Sequence, residues 1–236
     1  MTIALVVAVV FCAAFVQSLS GFGFALIVMP LITLVVGLRT AAPLVALAGL
    51  TIYTINLIRY RQAVNLKEVL RLGASSALGI PVGVWALTHV DESLVTGLLG
   101  SILIGYAVYG LARPAAARLC SPRWVYPAGF VAGCLGGAYN TTGPPVIVYG
   151  SLRRWPKDEF RAVLQAFFLI NAALIVGAHY LAHHLTAGVL TLYACAAPAL
   201  LLGILAGSRL DSKLEADRFR TLVLVLLLLL GLSLIL

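Results

Sequence analysis

Two apolar runs in this chain are too long to cross a bilayer once as straight helices, and glycine and proline interrupt both near the middle. Residues Ile3–Gly37 would make a helix of about 52 Å and Trp124–Leu152 one of about 44 Å, against a hydrocarbon core of about 30 Å. The first contains "SGFGFALIVMP" (Ser20–Pro30) and the second "GCLGGAYNTTGPPVIVYG" (Gly133–Gly150). The remaining apolar segments, Ala41–Ile58, Val69–Thr88, Leu94–Ala112, Phe160–Leu181, Gly188–Gly207 and Phe219–Leu236, each have the length of one span. At 62% hydrophobic and 10% charged residues, nothing in the composition offers a soluble domain. The chain therefore reads as an all-α polytopic membrane protein set in a lipid bilayer.

Charge sets the orientation. The net charge of +8 comes from basic residues gathered in four connectors. These hold Arg59, Arg61, Lys67 and Arg71; then Arg113, Arg118 and Arg123; then Arg153, Arg154, Lys157 and Arg161; then Arg209, Lys213, Arg218 and Arg220. Only Arg39 stands apart. Such confinement is the signature of membrane topology and excludes nucleic acid as the partner. The connectors with Asp91 and Glu92, or with His183 and His184, have no Lys or Arg and face outward. Simple crossings would put the second and third basic connectors on opposite sides. Both stay cytoplasmic if Trp124–Leu152 enters from the cytoplasm, breaks, and returns as a re-entrant hairpin of two half-helices. Ile3–Gly37 then does the same from outside, and both termini lie outside the cell membrane.

The two interrupted runs also resemble each other. A shift of 115 residues aligns Ala13 with Ala128, Phe15 with Phe130, Val16 with Val131, Gly21 with Gly136, Pro30 with Pro145, Ile32 with Ile147, and Ile55-Asn56 with Ile170-Asn171. A shift of 124 brings "LGIPVG" (Leu78–Gly83) onto "LGILAG" (Leu202–Gly207). This ordered set argues for duplication. Each repeat, 1–112 and 113–236, has a broken helical hairpin plus three transmembrane helices. The count of crossings inverts the second repeat, as in transporters with inverted repeats.

The segments "SGFGFALIVMPLI" and "GxxGGxxxTTGPPVIVY", followed by the asparagine-bearing "FFLIN", resemble the sulfite exporter TauE/SafE family over essentially the whole chain. The resemblance implies a helical transporter with two homologous halves that moves small anions such as sulfite, organosulfonates or related organic acids. Family members often have more glycine at the second break, where this chain has Ala138-Tyr139-Asn140-Thr141-Thr142.

The residues agree with an anion. A break at membrane depth is tolerated where it lines a cavity, and a half-helix beginning there presents free N–H groups and a positive dipole end. The candidate substrate-binding residues are Gly21, Phe22, Gly23, Gly136, Gly137, Asn140, Thr141, Thr142 and Gly143 at the two breaks, with Asn56 and Asn171 as amides from neighbouring helices. The site is expected near the membrane's middle, served by alternating access. A channel, or a scaffold subunit that transports nothing, is the alternative.

Other groups suggest no catalysis. Cys12, Cys120, Cys134 and Cys195 have no metal-ligand spacing, and His179, His183 and His184 lack carboxylate partners in a zinc pattern. No cofactor, metal or enzymatic constellation is expected, and the oligomeric state is open. Met1–Phe15 lacks a basic n-region and reads as membrane helix, not leader. No Asp, Glu, Lys or Arg falls well inside an apolar segment, so transport is expected without a buried coupling carboxylate. Export of an anion then follows the inside-negative potential.

Overall fold

The computed structural model describes residues 2–89, 121–139, 142–181, 183–211 and 216–235, with residues 97, 100, 101, 104, 105, 107, 108 and 110–112 between them. Among the described residues there is no strand. The helices are α1 (Thr2–Ser20), α2 (Phe24–Val36), α3 (Leu38–Tyr60), α4 (Leu66–His89), α5 (Val125–Tyr139), α6 (Gly143–Leu152), α7 (Lys157–Leu181), α8 (Ala187–Asp211) and α9 (Ala216–Ile235). The described residues between 97 and 112 are helical as well. Both interrupted runs do break, at Gly21–Gly23 and between Tyr139 and Gly143.

Four described helices are long and apolar enough to cross a membrane: Ile3–Ser20, Arg39–Ala63, Lys157–Leu181 and Ala187–Leu210. α4 has 24 residues and carries Ser75, Ser76, Gly79 and Gly83 along one face. That face is where another helix packs.

The chain forms two compact units. One comprises Met1–Val64 and Arg161–Lys213, the other Asn65–Phe160 and Leu214–Leu236. Each unit takes helices from both halves of the sequence, so packing and the expected repeats divide the chain differently.

In the second unit α4 and α5 run side by side in the same direction. A Cβ on Gly129 would strike Ser75, one on Gly133 the Ser76 carbonyl, one on Gly79 the Phe130 carbonyl and one on Gly83 the Cys134 carbonyl. Glycine and serine at four-residue intervals let the two backbones touch, which is how helices associate where no hydrophobic force separates them from lipid.

The first unit repeats this arrangement with other helices. α1 and α8 are parallel, with Gly203 against the Phe11 carbonyl and Ala14, and Gly207 against the Phe15 carbonyl and Ser18. The two "LG…G" stretches thus have one job each, to receive a hairpin's first arm. α3 packs on α1, α2 and α8. It is tied to α8 by Thr51 and Tyr193 hydroxyls 2.7 Å apart and by Arg59 Nη2 donating to the Ser208 carbonyl at 2.8 Å.

Candidate functional site

The first break, at Gly21–Gly23, follows a longer arm than expected. α1 has 19 residues, about 28 Å at 1.5 Å per residue, so this first arm has the length of a full span where a half-helix is expected. The break lies beside Tyr60, the last residue of α3, and Arg161, in the second turn of α7. In the second hairpin the arms are shorter, 15 and 10 residues.

Gly21 and Gly23 have φ of +89° and +106°, left-handed values that side chains disfavour. Phe22 between them is fully buried. Several buried side chains stitch this turn. Gln165 Nε2 donates to the Gly21 carbonyl at 2.7 Å and Gln17 Nε2 donates to the same oxygen at 3.2 Å. Gln17 Oε1 accepts the Phe24 N–H at 3.0 Å, capping the start of α2 across the break. The Ser20 hydroxyl lies 2.7 Å from both the Val16 and Phe22 carbonyls and donates to one of them.

The next amides of α2, those of Ala25 and Leu26, have no intrahelical acceptor by helix geometry. No hydrogen bond reaches them among the described residues. The positive end of α2 is therefore only partly satisfied.

Arg161 is the residue that sequence reasoning misses. Its place among Arg153, Arg154 and Lys157 makes it look like a solvated connector charge, yet it is 0% exposed. Its Nη2 donates to the Leu19 carbonyl, its Nη1 to the Tyr60 hydroxyl at 3.4 Å, and its guanidinium lies 5.6 Å from the Tyr60 ring centre. The Leu19 carbonyl belongs to the last turn of α1, the negative end of that helix dipole, which suits a cation. Gln165, also 0% exposed, follows one turn later on the same face of α7.

Within the same unit, Asn56 is 2% exposed, and its Oδ1 accepts from the Ser18 hydroxyl at 3.4 Å. Asn171 is buried too, but its Nδ2 donates to the Phe167 carbonyl of its own helix at 2.8 Å.

The second unit holds Gly136, Gly137, Thr142 and Gly143. Gly136 and Gly137 lie within the last turn of α5, inside the helix and ahead of the break where the sequence places them, with Gly136 against the Thr142 methyl. Thr142 precedes α6 without a side-chain cap. Asn140 and Thr141 lie outside the described residues, as does Cys120. Gly143 opens α6 and is followed by Pro144 and Pro145, which have no N–H to offer. Two of the amides that a helix start normally leaves free are thus missing at the second break. The first break is the better donor.

The fold also buries one connector carboxylate. Glu68 is 5% exposed and accepts the Tyr149 hydroxyl of α6 at 3.0 Å. It stands in the first turn of α4, where its N–H donates to Asn65 Oδ1 at 3.3 Å. The start of a helix is a favourable place for a carboxylate. Near the other end of α7, His179 and His184 meet through Nδ1 atoms 3.1 Å apart.

Compared with known protein families, residues 6–234 match the family described as sulfite exporter TauE/SafE. Comparison with curated proteins finds no match, and comparison with solved structures finds none either. With nearly the whole chain matched and its apolar helices broken where the motifs lie, the chain belongs to the sulfite exporter TauE/SafE family, membrane transporters of sulfite or related anions.

Proposed function

We propose that this protein exports sulfite or a related small anion across the cell membrane by alternating access, holding it at the first break. The observation that carries this reading is Arg161, a fully buried cation at the end of α1. Its unit contains Arg39, Arg59, Arg61, Arg161, Arg209 and Lys213 but only one acidic residue, Asp211. That imbalance gives the unit a field that draws anions. A guanidinium presents its donors in a planar fork that matches the oxygens of an oxyanion. The partly satisfied start of α2 adds a second positive end at the same break.

By the positive-inside rule, Tyr60 and Arg161 border the cytoplasmic connectors, so the anion loads from the cytoplasm. The matching parallel pairs, α1 with α8 and α4 with α5, support two homologous halves, 1–112 and 113–236, the second inserted upside down.

Counterflow tests the carrier mechanism. Proteoliposomes filled with unlabelled sulfite are expected to take up labelled sulfite transiently above equilibrium, at a rate that saturates with concentration. A linear rate with no overshoot contradicts alternating access.

A further inference from the structure

Asn56 carries a donor that binds nothing among the described residues. Its Nδ2 is buried and has no hydrogen-bond partner among the described residues, a situation that native proteins avoid unless something else occupies the site. Ser18 does not resolve it, because the Ser18 hydroxyl is spent on the Oδ1 side of the amide.

The position of this donor is fixed by two helices. Asn56 and Tyr60 are four residues apart in α3 and leave the helix on one face, with Cβ atoms about 5–6 Å apart. Ser18 and Leu19 are consecutive in α1. The Asn56 amide packs against Ser18, while the Arg161 guanidinium packs against the Leu19 carbonyl and Tyr60 hydroxyl. The unpartnered donor and the buried cation therefore meet consecutive residues of α1, Ser18 and Leu19, and the cation also meets Tyr60, one turn beyond Asn56 in α3.

We propose that Asn56 and Arg161 form a two-point oxyanion site, in which Asn56 Nδ2 and the guanidinium grip different oxygens of the same anion. This rests on the transport reading above. The guanidinium is shared: it holds the Leu19 carbonyl, and a bound anion draws on the same N–H groups. Binding thereby acts on the end of α1, next to the break.

Asn56→Leu tests the site, with sodium sulfite as the probe. Asn56→Leu removes an unsatisfied buried donor but also the acceptor of the Ser18 hydroxyl, so the variant without sulfite is expected to melt close to the wild-type temperature in detergent. The stabilisation that sulfite gives wild type is expected to disappear, and the KM for sulfite efflux from proteoliposomes to rise about tenfold. Arg161→Lys, which keeps the charge but loses the planar fork, is expected to bind sulfite more weakly than wild type. Equal sulfite stabilisation and KM in Asn56→Leu and wild type would overturn the site and leave the transport reading standing. A lower melting temperature of Asn56→Leu without sulfite, with unchanged KM, would also overturn it, since that is the mark of a structural amide. A wild type that moves no sulfite contradicts the transport reading instead.

Discussion

Replacing Gly83 with valine is expected to separate α4 from α5 and to destabilise the protein by about 3 kcal/mol, the upper end of overpacking penalties. A Cβ at this position falls on the Cys134 carbonyl, with Cys134 Cα 2.9 Å away. The obstacle is backbone, so no rotamer change relieves it and the helices must move apart. The same seam then loses its contacts at Gly79 and Gly133. Thermal unfolding in detergent should show a midpoint about 6–12 °C lower, on the usual scaling for chains of this size. Gly177→Val is the control: a Cβ at Gly177 meets nothing within 4 Å, and its midpoint should stay close to wild type.

Gly21→Ala is expected to damage both stability and transport. At φ +89° an alanine carries left-handed strain of about 1–2 kcal/mol. Its Cβ would also come within 2.9 Å of Arg161 Cγ. Arg161 must shift, taking its guanidinium away from the Leu19 carbonyl. Sulfite efflux is expected to fall at least tenfold. Gly37→Ala separates the two effects, because Gly37 has φ +76° and an added Cβ there meets nothing within 4 Å. It should lose stability and keep transport. If both variants transport like wild type, Arg161 is not part of the site.

Both breaks are readable from chain length and from glycine and proline, because a bilayer fixes how much apolar chain one crossing takes. Gly79, Gly83, Gly203 and Gly207 are readable as a repeat but not as seams, since sequence does not say which helix a glycine faces. The register of the two hairpins differs by one turn from the 115-residue shift. That shift pairs Gly21 with Gly136, whereas α2 starts at Phe24 and α6 at Gly143, and Gly203 and Gly79 face Phe11 and Phe130.

Arg161 is hidden from sequence reasoning because it stands one residue inside an apolar run, beside Arg153, Arg154 and Lys157, where a long cation ordinarily snorkels to water. Gln17 and Gln165 lie 148 residues apart in the chain, and nothing local joins them. Pro144 and Pro145 signal the start of a helix. Their missing N–H groups, equally plain in the sequence, weaken the second break as an anion donor.

The central claim, a transporter that passes net negative charge, is tested most directly by potential. Proteoliposomes loaded with sulfite are given an inside-negative potassium-diffusion potential with no proton or sodium gradient. Sulfite efflux is expected to accelerate, with a driving force of about 2.3 kcal/mol per charge at 100 mV, and to slow when the sign is reversed. Efflux that is the same at either sign of the potential would contradict the claim.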